Sequence, residues 1–446
     1  MREIRAALSE AWEVALRRVH GRQAVHDALV REGGGWHPKP GGRLRMVSVG
    51  KAAMAMAAGA ASVLGRRLDG TLVVTKRGHA LEDWTELLLD TGCPYRCIEA
   101  GHPYPDATSG AAGLALRSFV AELREQDLLM ALVSGGASAL TVMPRPPCTL
   151  QEKLLLHRRL VDSALPIDRI NAVRRRVSAI KGGALARWSR APILVLGMSD
   201  VPGDAWHLLG GGLFHEPPAD EEASEDELLR AGIRLDDLPG AQALLRAPRS
   251  STVAVARSPG VQGALLVATL ELAVDALAPW ARARGLSLRR RDAVLRGEAA
   301  IEGRSIAREA LDLQAKGWRG LFVSGGEPVV TLGERPGVGG RAQELAFAAA
   351  EVLRGSTGVG IWAAGTDGTD GPTDAAGAYV DGATWPRMEA AGWRPEVCLT
   401  GHDTFAALRA IGASVITKAT GTNVNDLVLT WVGDPSGDPS DPQPPH

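Results

Sequence analysis

Over most of its length the chain alternates short apolar runs, glycine-rich turns and helical patterns. Strands that alternate with helices in this way are the repeating units of a mainly parallel sheet covered by helices. The sequence therefore predicts an α/β protein with a Rossmann-like, mainly parallel sheet. The apolar runs predict strands at 45–49, 71–75, 128–133, 192–197, 251–256, 319–323, 360–364 and 414–417.

The length of 446 residues predicts at least two domains. An acidic segment with several prolines, residues 215–240, interrupts the alternation, and we expect a surface excursion with short helices there. We predict an N-terminal Rossmann-like domain over 1–244 and a second α/β domain over 245–432. Residues 433–446 are rich in Pro, Asp and Ser without apolar anchors, which predicts a disordered tail.

Composition excludes several classes of protein. The formal net charge of -1 leaves no basic excess for nucleic acid or an anionic membrane. The four cysteines form no paired motif, so neither a zinc site nor a disulfide framework is expected. Helices are predicted at 2–18, 21–31 and 263–280, and the last of these carries Glu271 and Asp275, which argues against a membrane span. We expect a cytoplasmic protein.

Polar, glycine-rich turns follow the predicted strands, where ligands bind in open parallel sheets. Glycine lets backbone N–H groups approach an anion closely, and a following helix start adds more donors. So many turns of this kind predict a multiply phosphorylated ligand such as ATP. The candidate ligand-binding residues in these turns are Ser134, Gly135, Gly136, Ser138, Ser324, Gly325, Gly326, Thr366 and Asn425.

Three cations lie beside glycines in these turns. Lys51 and Arg341 are each predicted in the first turn of a helix, where unpaired N–H groups already favour negative charge. A cation there costs a few tenths of a kcal/mol unless an anion lies against it. We therefore predict that Lys51 and Arg341 each face an anion, and we add Lys181, in the sequence IKGGALA, as a third candidate.

Carboxylates that could hold Mg²⁺ or accept a proton occur in the same turns, as phosphoryl transfer requires. They are Asp200, Asp204, Glu327, Asp367 and Asp370. The Walker A pattern is absent, as are a convincing dinucleotide fingerprint and the protein-kinase signatures. The alternatives are that the GTDGTDGPTD turn is solvated or binds Ca²⁺, that the SGG turns are only structural, and that His79 and His102 are hydrogen-bonded turn residues.

Six segments, VSVGKAAMAMA, VVTKRGHA, EAGHPYPD, LVSGGASAL, INAVRRRVSAIKGG and SDVPGD, resemble the N-terminal domain of class II glycerate 2-kinases. SGGEPVVTL, GGRAQELA, AAGTDGTDGPTDAAGA and TGTNVNDL resemble the MOFRL domain of the same enzymes. The resemblance implies two α/β domains with ATP and D-glycerate in the interdomain cleft, a divalent ion such as Mg²⁺, and 2-phosphoglycerate and ADP as products. It places the family's catalytic lysine at Lys51 and its GGR arginine at Arg341.

On this reading Lys51 and Arg341 neutralise charge on the transferred phosphoryl group. Asp200 and Asp367 are the first candidates for metal or base, and Asp204 is a further metal candidate. Lys181, Glu327 and the glycine-rich turns would bind the nucleotide. The partners are small molecules, the protein is a monomer or homodimer, and neither nucleic acid nor membrane is a partner.

The chain departs from the family pattern at several turns. Ala137 replaces the third glycine of SGGGSAL, LLGGGLF (208–214) replaces an SGPT turn, and Ala342 replaces an asparagine after GGR. VARSPG stands where a Ser-Asn pair is usual, and HDT (402–404) stands where NDS is usual. These changes leave open a kinase of another small hydroxy acid, or a non-catalytic ligand-binding or regulatory protein.

Overall fold

A computed structural model describes residues 2–32, 36–163, 165–201, 203–218, 223–247, 259–333 and 335–434. They form two compact units, each with one six-stranded sheet. The first unit is Gly21–Ala268, and the second joins the residues up to His20 to those from Thr269 onward. The two sheets with their helices confirm the predicted α/β class.

All strands of the first sheet are parallel, in the order β3-β2-β1-β4-β5-β6. Parallel pairing brings the carboxyl ends of β1, β2, β4 and β5 to one edge, which is where the polar turns of this unit begin. The strands are β1 (Leu44–Val49), β2 (Leu68–Lys76), β3 (Tyr95–Ala100), β4 (Leu128–Val133), β5 (Ile193–Met198) and β6 (Val261–Ala268).

Helices pack on this sheet and on one another. The Ala-rich helix that follows β1 lies close to the helix that opens the unit, since a Cβ on Gly59 would come 2.3 Å from the Arg22 carbonyl oxygen. After helix α1 (Arg2–Val19), the helices are α2 (Gly21–Arg31), α3 (Ala53–Leu64), α4 (Glu82–Asp90), α5 (Ala107–Ala121), α6 (Ala137–Leu140), α7 (Leu150–Val161), α8 (Ile167–Arg176), α9 (Ala184–Arg187), α10 (Glu225–Arg230) and α11 (Pro239–Arg246).

The second sheet is mixed, in the order β11-β10-β9-β12-β8-β7. Its strand β12 runs antiparallel between β8 and β9, so its first residue, Asp426, pairs with Gly326 and Gly365 at the carboxyl ends of both. The strands are β7 (Ser287–Arg290), β8 (Gly320–Gly326), β9 (Val359–Gly365), β10 (Ala375–Asp381), β11 (Ser414–Ile416) and β12 (Asp426–Val432).

Helix α1 packs in the second unit although it opens the chain. Ile4 and Leu8 are fully buried, and the rings of Trp12 and Trp362 lie 6.5 Å apart. The remaining helices of this unit are α12 (Leu270–Asp275), α13 (Leu277–Arg282), α14 (Ala299–Ala315), α15 (Arg341–Leu353), α16 (Thr384–Ala390), α17 (Pro395–Thr400) and α18 (Thr404–Ala410). No described helix is both long enough and apolar enough to cross a membrane.

Some predicted elements differ in the structure. The predicted helix 263–280 is wrong, because β6 occupies its first part and Thr269 then caps α12 through a 3.2 Å bond from the Leu272 N–H to its hydroxyl. The compact units divide after Ala268, because β6 pairs with β5, and the domain boundary at 244/245 stays a prediction. The predicted strand 251–256 and residues 435–446 of the predicted tail lie outside the described residues.

The acidic segment contributes more than a surface excursion. Leu228, Leu235 and Leu238 are buried and share an apolar cluster with Leu156 of α7 and Val173 of α8. Helices α10 and α11 therefore cover α7 and α8, the helices that carry a group of cations described below.

Candidate active site

Lys51 lies in the turn that joins β1 to α3. Helix α3 begins at Ala53, so Lys51 precedes the helix and does not lie in its first turn as predicted. The turn is fastened to the loop after β4, because the Lys51 N–H donates to the Gly135 carbonyl at 2.9 Å and the Ala52 N–H donates to Ser134 Oγ at 3.1 Å. Gly50 has a φ of 132°, and a Cβ there would come 2.1 Å from Ser134 Oγ, so only glycine fits.

Two histidines lie beside this turn. His79 is buried and its Nδ1 donates to the Lys51 carbonyl at 3.1 Å, which confirms its predicted role as a hydrogen-bonded turn residue. The side chains of Lys51 and His102 both lie against Gly136, where an added Cβ would be 3.0 Å from Lys51 Cγ and 3.2 Å from the His102 ring. The ends of β1, β3 and β4 therefore bring Lys51 and the His102 imidazole to the turn that contains Gly136.

The structure also joins Lys181 to Ser138. The buried Lys181 ammonium donates to Ser138 O at 2.6 Å and to Ser138 Oγ at 2.8 Å. Three consecutive left-handed glycines adjoin this pair, and a Cβ on Gly211 would be 3.3 Å from Lys181 Nζ. The LLGGGLF departure from the family pattern thus lies directly beside a predicted binding residue.

Beneath Lys181 lies a group of buried cations that the sequence analysis missed. Lys153 Nζ donates to the Val177 carbonyl at 3.0 Å, and burial lowers the Lys153 pKa to about 7. Arg174 donates to His157 Nε2 at 3.0 Å, and burial lowers the Arg174 pKa to about 10. No signal in the sequence showed that helices α7 and α8 would turn these side chains inward, because adjacent arginines point in different directions on a helix.

Asp200 and Asp204 lie in the turn after β5, and both are partly exposed. The Asp204 backbone is left-handed, with φ of 55°, and its N–H donates to the Val201 carbonyl at 3.0 Å. Within the described ranges, no three His, Cys, Asp or Glu side chains are arranged to hold a metal ion. Mg²⁺ does not need such a cage, because it keeps several waters and usually binds one or two carboxylates together with substrate phosphates.

In the second unit, Arg341 is the first residue of α15, as predicted, but its anions come from the protein. Its Nε and Nη2 donate to the two oxygens of Asp426 at 2.7 and 3.1 Å, and its Nη1 pairs with Glu327. Burial disfavours the charge, but Asp426 and Glu327 outweigh it and raise the Arg341 pKa. Arg341 therefore faces an anion as predicted, but the anions are two carboxylates of the protein, and a phosphoryl group at Arg341 stays a prediction.

Asp370 caps the same helix. Its carboxylate accepts the Ala342 N–H at 3.1 Å and the Gln343 N–H at 2.8 Å. Burial, with a smaller contribution from the charge of Asp426, raises the Asp370 pKa to about 7. This candidate carboxylate therefore has a structural role as the N-terminal cap of α15.

The remaining predicted residues of this unit lie at the ends of β8 and β9 and the start of β12. Thr366 Oγ1 donates to the Asn425 carbonyl at 2.6 Å, and Asp367 Oδ1 accepts the Thr369 N–H at 2.9 Å. The Ser324 hydroxyl is buried, and no described residue hydrogen-bonds to it. Asp426 was missed as a separate candidate although it follows Asn425 directly in the quoted TGTNVND turn.

The structure thus gathers the predicted residues into two clusters, one in each unit. The cluster of the first unit holds Lys51, Ser134, Gly135, Gly136, Ser138 and Lys181, with Asp200 and Asp204 at the end of the neighbouring strand β5. The cluster of the second unit holds Arg341, Glu327, Gly326, Thr366, Asp367 and Asn425, together with Asp426, which was not predicted.

Known proteins resemble both units. A family described as "Domain of unknown function (DUF4147)" matches residues 7–245, and the MOFRL family matches residues 320–426. D-glycerate 2-kinase of Thermotoga maritima is 37% identical over 87% of this chain and 90% of its own. A relative from Agrobacterium vitis, provisionally named as a hydroxypyruvate reductase, is also 37% identical, over 89% of this chain and 88% of its own.

The fold leads to the same proteins. The crystal structure of glycerate kinase from Thermotoga maritima matches 97% of this chain and 100% of its own with a TM-score of 0.77 and 32% identity. The chain therefore belongs to the family that joins a DUF4147 domain to a MOFRL domain, the class II glycerate 2-kinases.

Proposed function

We propose that this protein transfers the γ-phosphoryl group of ATP to the 2-hydroxyl of D-glycerate in the cytoplasm and yields 2-phosphoglycerate and ADP. The observation that carries the proposal is similarity across both units to a relative named D-glycerate 2-kinase. The clusters of polar turns at the strand ends support it, because phosphoryl transfer depends mainly on positioning and on charge stabilisation.

In this proposal Lys51 neutralises negative charge on the transferred phosphoryl group. The Lys51 backbone is held by hydrogen bonds to Gly135 and His79, so the start of its side chain is fixed, and the residue is partly exposed. A preorganised cation needs no rearrangement as charge moves during transfer. Gly136 and Ser138 continue the same loop and would contact phosphate oxygens.

Arg341 has a different part in the proposal. Asp426 and Glu327 already pair with its guanidinium, so Arg341 holds these two carboxylates in position as well as contributing positive charge near a ligand. Magnesium would arrive as the MgATP substrate complex and supply charge neutralisation between phosphate oxygens. We propose that Asp200 and Asp204 of the first unit or Asp367 of the second unit would bind it, and that Asp200 or Asp367 is the base that takes the hydroxyl proton.

A second candidate is a kinase of another small hydroxy acid. The observation that favours it is the replacement of a hydroxyl-bearing turn by Gly210, Gly211 and Gly212 directly beside Lys181 and Ser138. A panel of hydroxy acids in an assay of ADP release separates the two kinases. The glycerate 2-kinase is supported if D-glycerate gives the highest kcat/KM.

The same assays also test two functions other than phosphoryl transfer. A non-catalytic ligand-binding or regulatory protein would bind ATP and release no ADP with any acid. A reductase would oxidise NADH in the presence of hydroxypyruvate, which we do not expect. Either result in a folded protein would contradict the proposed function.

A further inference from the structure

Lys181 is buried in the first unit, and no carboxylate of the described residues pairs with its amine. Its side chain is 3% exposed, and its two hydrogen bonds go to neutral oxygens of Ser138. An ammonium group has three N–H donors, so one of them has no acceptor among the described residues. A neutral amine has two N–H donors, which matches the two hydrogen bonds from Lys181 to Ser138.

The charged groups that act on Lys181 are all cations. Lys153 lies on α7, and Arg174 and Arg175 lie on α8. His157 of α7 also faces this group, and burial followed by the nearby cations lowers its pKa, so it is neutral. Burial, then Lys153, Arg174 and Arg175, lowers the pKa of Lys181 well below its usual value. A buried charge normally has a partner of opposite charge, and no carboxylate among the described residues pairs with Lys181.

A glycine lies directly beside the Lys181 amine. The left-handed glycine Gly211 lies beside the amine, and the N–H groups of Gly182 and Gly211 already donate to the carbonyls of Gly211 and Leu208 at 3.4 and 2.9 Å. Gly211 therefore contributes the absence of a side chain and not a free N–H donor. A Cβ on Gly211 would come 3.1 Å from Ser138 Oγ and 3.3 Å from Lys181 Nζ. The missing side chain therefore leaves a cradle against the amine.

We propose that this cradle binds one phosphate group and that Lys181 takes up a proton from solvent when the phosphate binds. The bound dianion supplies the acceptor for the third N–H and offsets the neighbouring cations, so the amine becomes an ammonium. The inference rests on the proposed function only for the source of the phosphate, which is either the nucleotide or the phosphorylated acid.

The direction of the pH effect follows from linkage. Lys181 has a lowered pKa without ligand and a higher one with phosphate bound, so binding takes up a proton between these two values. Affinity should then weaken as pH rises, by up to about tenfold per pH unit when one proton is taken up. Above pH 8 the phosphate itself is fully ionised, since its second pKa is about 6, and does not contribute.

Isothermal titration calorimetry of the full chain at pH 8, in two buffers with different heats of ionisation, measures the proton uptake directly. The probes are 2-phosphoglycerate, ADP and inorganic phosphate. We expect uptake approaching one proton with at least one probe, and the probe that shows it identifies the source of the phosphate. Binding without proton uptake, or no binding of any probe, overturns the proposal.

Three variants assign the proton. Lys181→Met should weaken binding of that probe by about 10- to 100-fold and abolish uptake. Lys181→Arg, which is always charged, should bind without uptake. Lys153→Met is the matched buried control and should keep the uptake. Loss of uptake in Lys153→Met together with its retention in Lys181→Arg assigns the proton elsewhere and overturns the proposal.

Turnover separates this inference from the proposed function. An enzyme that phosphorylates D-glycerate but binds phosphate without taking up a proton sinks the inference alone. A protein that takes up a proton with phosphate but does not turn over D-glycerate contradicts the proposed function and leaves the cradle intact.

Discussion

At the scale of single residues, Lys51 and Arg341 differ in what surrounds them. The Arg341 guanidinium pairs with Asp426 and Glu327, and the side chain is about one-third exposed. Lys51 is held through its backbone, and its side chain lies over Gly136 beside His102. Lys51 and Arg341 look equivalent in the sequence, but the structure shows different neighbours for the two side chains.

The first prediction concerns Lys51. Lys51→Met should lower kcat by about 10²- to 10³-fold with little change in melting temperature, because a preorganised charge is lost and its backbone bonds stay. ADP release with ATP and D-glycerate measures the effect. Lys316→Met, at an exposed lysine that follows α14, is the control and should retain full activity. Equal activity in the two variants would remove Lys51 from the mechanism.

The second prediction concerns Asp426. Asp426→Asn should destabilise the protein by about 1 to 3 kcal/mol, because it removes the nearly buried partner of a partly exposed guanidinium. Urea denaturation followed by tryptophan fluorescence measures the change. Asp374→Asn is the control, because Asp374 pairs with Arg409 at the surface, where both side chains are more than half exposed. A cost below 0.5 kcal/mol for Asp426→Asn would show that Glu327 alone balances Arg341.

At the scale of elements, the buried apolar strands were the most predictable part of the molecule. Runs such as LLMALV and ILVLGM are continuous and apolar, and both became fully buried central strands. Strand β10 was missed because AAGAYVD is rich in Ala and Gly, which have low strand propensity. Strand β6 was read as part of a helix because an apolar run alone does not distinguish the two.

Only those residues of the candidate site that lie in recognisable local turns could be predicted from the sequence. The glycines beside Lys51 and Ser134 indicate turns, and the parallel pairing of β1 with β4 brings these two turns to the same edge of the first sheet. Arg174 and Lys153 gave no such signal, because tertiary packing decides which face of α7 and α8 is buried. The partners of Arg341 could not be predicted either, since Asp426 is 85 residues away and pairing of β12 alone brings it close.

The third prediction concerns the contact between Ala137 and Gly210. Ala137 is buried at the start of α6, and a Cβ on Gly210 would come 3.2 Å from its methyl group and 2.9 Å from Val133. The methyl absent from the family's SGGGSAL motif is therefore accommodated by a glycine opposite. Gly210→Ala should destabilise the protein by about 1 to 3 kcal/mol.

A double-mutant cycle in urea measures this contact. Adding Ala137→Gly should recover part of the loss, because the two methyl groups then no longer compete for space. Gly232→Ala is the matched control, since it has the same left-handed backbone with nothing within 4 Å of the added Cβ. Strictly additive effects in the double variant would show that the two positions do not interact.

The fourth prediction concerns the cap of α15. Asp370 has a pKa of about 7 in the folded protein against about 3.9 unfolded, so the folded state binds more protons between these values. Stability from this group is therefore greatest at low pH and falls as pH rises toward 7. The free energy of unfolding of wild type relative to Asp370→Asn should be larger at pH 5.5 than at pH 8. A difference independent of pH would contradict the assigned ionisation.

At the scale of the whole molecule, the chain is not divided into consecutive domains. Helix α1 opens the sequence but packs against β9 and β12 in the unit that also contains the residues from Thr269 onward. At the C-terminal end of α1, Thr422 Oγ1 donates to the Val19 carbonyl at 2.7 Å and so attaches that end of the helix to the same unit.

The fifth prediction tests this organisation. Leu8→Ala should cost about 2 to 5 kcal/mol, because a fully buried leucine leaves a cavity. Hydrogen exchange should show lost protection in 359–365 and 426–432 before 44–49 and 68–76. Leu29→Ala in α2 is the control and should give the opposite order. Loss of protection in the first sheet on Leu8→Ala would contradict the division into these units.

The central claim is that this molecule phosphorylates the 2-hydroxyl of D-glycerate. The most direct test incubates the purified protein with ATP, Mg²⁺ and D-glycerate and follows ADP release and the ³¹P spectrum of the acid product together. The account predicts one equivalent of ADP and one of 2-phosphoglycerate. A folded protein that binds ATP but forms no phosphorylated glycerate, or that forms only 3-phosphoglycerate, would contradict it.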